Sequence, residues 1–417
     1  MEKKKKIKGE NDMTNFERLK ALGQEHVTRF FPELNEQQKQ HLIDQVNSVD
    51  LSLLDELKKA PEAASKHDIA PLGALEIEEI AKRREEFEQA GIQALREGKV
   101  AALLLAGGQG TRLGFSGPKG SFDFGVTRPY YIFQAQFETM IKNAEKAGAY
   151  FHIFLMTSDK NDAATRAFLK EHSFFGYPED KIHFFVQDMA PCCDFEGKLL
   201  LEEKDSLSLS PNGNGGWYKS LVRAGYSDLI EALGVEWFNV FAVDNVLQQI
   251  CDPVFIGATV LSGKGCGAKV VSKNHPKERV GALCLKGGKP DVVEYYDLSD
   301  EEAYEVDEKG KIKYRFGVIL NYLFGAKRMK EIMNDKMPVH LAKKKIPYLN
   351  EKGEHVKPET ENGVKFEYLA TDTVRGMETC LAFEVVREKE FAPIKNPTGV
   401  DSVESARELM KQNGFVL

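Results

Sequence analysis

The sequence lacks a long apolar run, a cysteine pair with metal-ligand spacing and an excess of basic charge. No apolar run approaches the ~20 residues of a membrane-spanning helix, and no secretory apolar segment follows the lysines at positions 3–6. The six cysteines form no Cys-x-x-Cys pair, which is typical of free thiols in a reducing compartment. The net charge of −7 disfavours a nucleic-acid surface. We therefore expect a cytoplasmic protein without a membrane or nucleic-acid partner.

The composition is that of a folded protein with a large core. The chain has 417 residues, of which 42% are hydrophobic and 29% charged. Residues 1–13, with their block of lysines, predict a disordered leader. In residues 14–98 apolar side chains recur near helical spacing among many charges, and Gly98 follows as a C-cap. This pattern predicts an N-terminal helical lobe.

From residue 99 to residue 397 the apolar pattern alternates between strands and helices. We predict strands over 100–105, 150–156, 182–186 and 236–243, a helix that Pro129 begins and another over 161–172. Further strands are predicted over 268–272, 281–285 and 292–296, the last two joined by a hairpin at Gly287-Gly288. The alternation predicts an α/β domain with a doubly wound, Rossmann-like mixed sheet and an antiparallel extension. Residues 398–417 add a C-terminal helix, with Asp401 or Ser402 as its N-cap.

A glycine-rich loop follows the first strand of this domain. Residues 100–105 are an unbroken apolar run, which indicates a buried parallel strand. Six glycines lie between positions 107 and 120, together with Arg112 and Lys119. Such a loop brings backbone N–H groups and two cations to one place, which suits a polyphosphate. It matches neither the dinucleotide fingerprint nor the P-loop motif, because Leu113 replaces a glycine and Lys119 follows a proline. A plain tight turn is the alternative.

Several predicted strands end at residues that can contact a ligand. Ligands of doubly wound sheets bind at the carboxyl ends of the strands, where Gly107, Thr157 and Asp244 fall. Asp244 is a lone acid followed by asparagine. This suits Mg²⁺, which takes few protein ligands and keeps several waters. The alternative is that Asp244 caps the next helix.

Short motifs between residues 100 and 397 occur in the order of one enzyme family. The chain closely resembles the UDP-sugar pyrophosphorylases, and among them the UDP-N-acetylhexosamine pyrophosphorylase branch. The motifs are LAGGQGTRLG (105–114) with PKG (118–120), MTS (156–158), Gln187 before Met189 and Pro191, PNGNGG (211–216), VDN (243–245), CGAKVV (266–271), VVEY (292–295), KKIPY (344–348), NGVK (362–365) and EVVRE (384–388). The resemblance implies that residues 99–397 are a nucleotidyltransferase catalytic domain.

The resemblance implies a reaction in which UTP and a sugar 1-phosphate form a UDP-sugar and pyrophosphate. A phosphate oxygen of the sugar attacks the α-phosphorus directly, so catalysis needs positioning and positive charge and no covalent nucleophile. The implied catalytic cations are Arg112, Lys119 and Lys365, and the implied Mg²⁺ ligand is Asp244. The sequence accordingly offers no evident Ser–His–Asp or Cys–His set.

Neutral groups are implied to recognise the base and the sugar. The implied nucleotide-binding residues are Leu105, Gly107, Gly108, Gln187 and Gly213. The amide of Gln187 has the donors and the acceptor that the uracil edge requires. The implied sugar-binding residues are Asn214 and Glu294.

One motif departs from the family. Where relatives have Asn-Ala-Gly-Asn, this chain has Arg315-Phe316-Gly317-Val318, and the Val318 side chain cannot donate a hydrogen bond to the sugar. We therefore leave glucose, galactose and N-acetylhexosamine open and favour the sugars without the acetamido group.

Two other functions stay open from the sequence. One is a nucleotidyltransferase that uses another base, and Gln187 with Gly213 argues for uracil instead. The other is a non-catalytic sensor of sugar nucleotides. Four residues argue against a sensor, because binding alone does not need this set: Arg112, Lys119, Asp244 and Lys365.

Overall fold

The computed structural model of the chain describes residues 14–59, 68–333 and 337–417. The predicted leader over residues 1–13 lies outside the described residues. The chain divides into two compact units. Unit 1 comprises the described residues of 1–65, 188–214 and 338–369, and unit 2 comprises the rest.

Strands and helices occur in both units. The strands are β1 Ile69–Pro71, β2 Val100–Leu105, β3 Ile153–Thr157, β4 Ile182–Val186, β5 Met189–Pro191, β6 Cys193–Asp194, β7 Leu201–Glu203, β8 Ser206–Leu207, β9 Leu209–Pro211, β10 Trp237–Ala242, β11 Cys266–Ser272, β12 Ala282–Lys286, β13 Lys289–Val293, β14 Phe316–Gly325, β15 His340–Lys344, β16 Tyr348–Leu349, β17 His355–Val356, β18 Gly363–Glu367 and β19 Cys380–Glu384. The α-helices are α1 Asn15–Arg18, α2 Glu36–Ser48, α3 Ile77–Lys82, α4 Arg84–Arg96, α5 Ile132–Ala147, α6 Asp162–Glu171, α7 Trp217–Arg223, α8 Ser227–Leu233, α9 Pro253–Ser262, α10 Asp300–Tyr304, α11 Ala326–Ile332, α12 Thr373–Gly376, α13 Arg387–Glu390 and α14 Val403–Gln412. Across the described ranges, none of these helices has the length and apolar character to cross a bilayer.

Unit 2 is built on a ten-stranded mixed sheet. Strands β10, β2, β3 and β4 are parallel neighbours in that order, and β14 pairs antiparallel with β10. On its other side β14 pairs antiparallel with β11, which lies parallel to β19. Strands β12, β13 and β1 extend the antiparallel part. The predicted α/β fold with a mixed sheet and an antiparallel extension is confirmed.

Strand β2 lies between two parallel neighbours and is covered on both faces. Ala101 and Leu103 belong to one apolar cluster, which includes residues of α7 and α8. Ala102 and Leu104 belong to the opposite cluster, which includes residues of α5 and α9. A strand buried on both faces has no solvent-facing position, which explains the unbroken apolar run at 100–105. The glycine-rich loop therefore starts from a fixed point.

Helices α4 and α9 approach each other through glycines. A Cβ atom at Gly91 would lie 1.8 Å from the carbonyl oxygen of Pro253, and one at Gly257 would lie 1.7 Å from that of Phe87. Helix α4 belongs to unit 2, whereas residues 14–59 belong to unit 1. The segment 14–98 is therefore divided between the two units. The segment is also not helical throughout, because β1 (Ile69–Pro71) pairs with β12 at the edge of the sheet.

Most predicted elements have the expected bounds to within a few residues. The predicted hairpin at Gly287-Gly288 is confirmed, and the two glycines have φ of +57° and +75°. The helix predicted to begin at Pro129 instead begins at Ile132. Its start is delayed because Asp123 accepts a hydrogen bond from the Tyr130 N–H, and this holds the preceding residues extended. The N-cap of α14 is Ser402, whose hydroxyl accepts a hydrogen bond from the Ser405 N–H.

Unit 1 has its own apolar core. Side chains from α2 and from the strands share one cluster, which includes Leu42, Val46, Leu207, Val364 and Phe366. Its strands form small antiparallel sheets, among them β15-β18-β6 and β5-β9. Residues distant in the chain thus form one compact body.

Candidate active site

The carboxyl ends of several strands in unit 2 lie at one edge of the sheet. Strands β2, β3, β10 and β11 share one direction, because β11 and β10 are both antiparallel to β14. The residues that follow them are Ala106, Ser158, Val243 and Lys273. The glycine-rich loop and Asp244 therefore lie at one edge, as the sequence predicts. The start of β14 lies at the same edge.

The glycine-rich loop is tied down through its carbonyl groups. The Asn161 amide donates to the carbonyl oxygens of Ala106 (2.9 Å) and Gly108 (3.2 Å), and the Ser158 hydroxyl donates to that of Gly107 (2.9 Å). The loop closes on itself where the Lys119 N–H donates to the Gly108 carbonyl oxygen at 3.1 Å. Asn161 was not identified from the sequence, since an asparagine before a helix usually signals a cap.

Gln187 lies directly against the start of this loop. A Cβ atom at Gly107 would lie 3.0 Å from the Gln187 side-chain nitrogen, so glycine permits the contact. Gln187 is buried, and its backbone N–H donates to the carbonyl oxygen of Thr157 at 2.9 Å. The amide that the sequence assigns to the base is thus held beside Gly107.

Lys119 and Asp244 form the charged centre of the edge. The Lys119 ammonium lies 3.8 Å from the Asp244 carboxylate, and the two side chains are 16% and 22% exposed. Burial lowers the pKa of Lys119, the charge of Asp244 opposes this, and the charges of Lys395 and Arg112 lower the pKa further. The charges of two cations and of the carboxylates of Asp244 and Asp401 thus act on Lys119.

Asp244 does not cap the following helix. The N-cap of α9 is Asp252, whose carboxylate accepts a hydrogen bond from the Val254 N–H. The Asp244 backbone carbonyl oxygen accepts a hydrogen bond from the Ile394 N–H at 2.9 Å, which brings the segment with Lys395 to the same place. The helix-cap alternative is therefore excluded for Asp244.

Lys395 is a further cation whose charge acts on Lys119. It lies 151 positions after Asp244 and in no phosphate-binding motif, so no local signal identifies it. Its ammonium is 3.1 Å from the Asp401 carboxylate, which leaves it partly neutralised near Lys119.

A buried ion cluster fixes the two segments that carry Asp244 and Lys395. The ammonium of Lys269 on β11 is fully buried and contacts the carboxylates of Glu390 (2.6 Å) and Asp252 (3.2 Å) and the carbonyl oxygen of Gln249 (3.1 Å). Burial alone would lower the pKa of Lys269, but the two carboxylates outweigh it and raise that pKa. The Asn245 amide donates to the Glu390 carbonyl oxygen at 2.7 Å. The loop after β10 is therefore joined to α13.

Glu294 lies at the antiparallel part of the edge. A Cβ atom at Gly281 would lie 3.4 Å from one Glu294 carboxylate oxygen, and the Val318 N–H donates to the Gly281 carbonyl oxygen at 3.0 Å. Arg315, which precedes β14, is held by Glu76 (2.9 Å) and Asp307 (3.1 Å). Its charge is thus compensated by the protein.

The remaining predicted residues, Gly213, Asn214 and Lys365, belong to unit 1. Gly213 has a φ of +86°, and a Cβ atom there would lie 2.3 Å from the Tyr368 carbonyl oxygen, so only glycine fits this turn. Lys365 is half-buried in the middle of β18, opposite Ala342 of β15. Their roles stay predictions.

No group of three or more histidine, cysteine or acidic side chains in the described part of the chain could hold a metal ion. An ion bound at Asp244 would therefore need other ligands, such as phosphate oxygens and waters. The arrangement can bind and neutralise an anion, and this is the chemistry that phosphoryl-type transfer requires.

The chain is similar to known proteins over most of its length. The profile of a family described as UTP–glucose-1-phosphate uridylyltransferase matches residues 52–415. Human UDP-N-acetylhexosamine pyrophosphorylase-like protein 1 is 37% identical over 418 residues, which cover 94% of this chain and 82% of that protein. The UDP-N-acetylglucosamine pyrophosphorylase of Saccharomyces cerevisiae is 37% identical over 357 residues, which cover 82% of this chain and 74% of that protein.

The fold is similar as well. A crystal structure of the uridine diphosphate N-acetylglucosamine pyrophosphorylase from Trypanosoma brucei, in complex with an inhibitor, superposes with a TM-score of 0.82. It is 27% identical, and the match covers 96% of this chain and 85% of that one.

Proposed function

Because this chain belongs to the UTP–glucose-1-phosphate uridylyltransferase family, we propose that it joins UTP to a hexose 1-phosphate and releases pyrophosphate. The observation that carries the proposal is the cluster of Lys119, Asp244 and Lys395 beside the glycine-rich loop. A phosphate oxygen of the sugar forms a bond to the α-phosphorus of UTP. The bond from that phosphorus to the β-phosphate bridging oxygen breaks, and its electron pair leaves with pyrophosphate.

The cations of the site supply the positive charge that this reaction needs. Both substrates are anions, so their approach requires compensating charge, and the leaving pyrophosphate gains charge as it departs. Lys119 is held by the loop and by Asp244, and Arg112 offers a planar fork of donors to phosphate oxygens. Lys395 adds charge next to Lys119. For Lys365 we propose a contact with a substrate phosphate as well.

The donor set fits Mg²⁺ at Asp244. One carboxylate at a strand end, free of any helix-capping role, leaves most of the coordination sphere to phosphate oxygens and water. When bound, the ion would neutralise phosphate charge and orient the triphosphate. Asp244 would hold it, with the Lys119 ammonium 3.8 Å away.

Base and sugar would be recognised by different groups. Gln187 would pair with the uracil edge beside the backbone of Leu105, Gly107 and Gly108, and Gly213 would contribute backbone contact. Asn214 and Glu294 would bind sugar hydroxyls. The names of the relatives favour an N-acetylhexosamine, whereas Val318 lacks the donor that an acetamido-binding site would use.

One assay tests the proposed function and the sugar together. Pyrophosphate release is measured with each of the four nucleoside triphosphates and with the 1-phosphates of glucose, galactose and N-acetylglucosamine. We expect turnover with UTP only, and a kcat/KM for glucose or galactose 1-phosphate at least equal to that for N-acetylglucosamine 1-phosphate. A lost hydrogen bond to a buried sugar group lowers kcat/KM by about one to two decades.

The contrary outcomes are distinct. Equal turnover with another nucleotide would indicate a different base, and nucleotide binding without turnover would indicate a sensor. A preference above about tenfold for N-acetylglucosamine 1-phosphate would contradict only the argument from Val318.

A further inference from the structure

Lys273 stands at the same edge of the sheet as Asp244. It follows the carboxyl end of β11, and its backbone N–H donates to the Arg315 carbonyl oxygen at 2.7 Å. Its side chain is buried, with 7% of the residue exposed. Neither composition nor the motifs above single this lysine out.

The Lys273 ammonium has no partner within the described part of the chain. Among the residues that the structure describes it makes neither a hydrogen bond nor an ion pair within 4.0 Å. The nitrogen is also not one of the fully enclosed polar atoms that lack a partner, so it keeps accessible surface. A lysine with a buried stem and an accessible, unpaired ammonium is placed to meet a ligand.

Lys269, four residues earlier and within β11, shows the contrast. Its ammonium is fully enclosed and has three protein partners. An unpaired ammonium is costly to bury, so a lysine with a structural role is expected to be paired in this way. Lys273 is not.

The charged groups around Lys273 come from two neighbouring segments. Glu278 is already engaged by Arg387 (2.7 Å) and by the Asn274 N–H (2.7 Å). Burial lowers the pKa of Lys273, while the charges of Glu278 and Glu294 oppose this. Glu294, the acid assigned to the sugar, lies against Gly281, whose carbonyl oxygen accepts a hydrogen bond from the Val318 N–H of β14. Lys273 is hydrogen-bonded to Arg315, which directly precedes β14, so both residues lie at the start of this strand and they form no ion pair with each other.

We propose that Lys273 is a sugar-binding residue, whose ammonium donates a hydrogen bond to an oxygen of the hexose that Glu294 also contacts. The proposal rests on the proposed function and deepens it. The ammonium provides donors and the carboxylate provides acceptors, and a sugar hydroxyl can satisfy both. This pairing suits a neutral hexose.

Binding of the products separates the sugar from the nucleotide. Dissociation constants of UDP, UDP-glucose and UDP-N-acetylglucosamine are measured by calorimetry for the wild type and for Lys273→Met, Lys273→Arg and Lys277→Met. The last variant changes an exposed lysine of the same loop, which pairs with Asp300 and lies over the Tyr304 ring at the surface. We expect Lys273→Met to weaken the better UDP-hexose about tenfold or more and to leave UDP unchanged.

Two further variants serve as controls for Lys273→Met. Lys273→Arg keeps the charge and is expected to lie between wild type and Lys273→Met, and Lys277→Met should match the wild type. In turnover, the KM for the sugar 1-phosphate should rise while the KM for UTP stays constant. Equal weakening of UDP and UDP-hexose, or no change in either, would overturn the role of Lys273. A wild type that binds no uridine nucleotide would instead overturn the proposed function and, with it, this proposal.

Discussion

Replacing Lys119 by alanine is expected to lower kcat by about 10²-fold or more, because removal of one preorganised donor from a developing charge has an effect of that size. Lys119 is largely buried, is anchored by its backbone to Gly108 and lies 3.8 Å from Asp244. Arg112→Ala should have a similar effect. Arg112→Lys should also be impaired, since a compact ammonium cannot replace a planar fork. Steady-state kinetics with UTP and the preferred hexose 1-phosphate measure these changes.

The matched control is Lys142→Ala, which removes an exposed lysine from the outside of α5. It should retain wild-type kcat. Turnover of Lys119→Ala or Arg112→Ala near that of this control would remove the residue from the catalytic set.

Removal of divalent metal is expected to abolish turnover, and Asp244→Asn is expected to raise the Mg²⁺ concentration needed for half-maximal activity steeply. The amide keeps an oxygen ligand but loses the charge that attracts the ion. The variant should fold normally, because among the described residues Asp244 is held by a hydrogen bond to its backbone carbonyl oxygen and by one ion pair at 3.8 Å. The measurement is a Mg²⁺ titration of initial velocity after treatment with EDTA.

Asp228→Asn provides the comparison, since Asp228 is an exposed acid on α8. Its Mg²⁺ curve should superpose on that of the wild type. Full activity in EDTA, together with an unchanged curve for Asp244→Asn, would show that the carboxylate serves only as the counterion of Lys119.

The central part of the fold could be predicted because its signals are local. The apolar run at 100–105 marks a strand covered on both faces, and the glycines after it mark the loop. The strand end before Asp244 placed that acid at the ligand edge. These inferences need only neighbouring residues.

Other features depend on contacts between distant residues. Lys395 reaches the site through the hydrogen bond between the Ile394 N–H and the Asp244 carbonyl oxygen. The division of the 14–98 segment depends on Gly91 and Gly257, which let α4 and α9 touch. Neither contact has a signature within one stretch of sequence, so a single sequence could not reveal them.

The most direct test of the account is the stereochemical course at the α-phosphorus. We propose that the sugar phosphate attacks UTP directly, with charge stabilisation from Lys119, Arg112 and Lys395 and no covalent intermediate. One isomer of UTP with sulfur on the α-phosphate is converted by the wild-type enzyme, and the configuration of the UDP-sugar is determined by ³¹P NMR. Inversion is the predicted result. Retention would require two successive displacements through an enzyme-bound intermediate and would contradict the account.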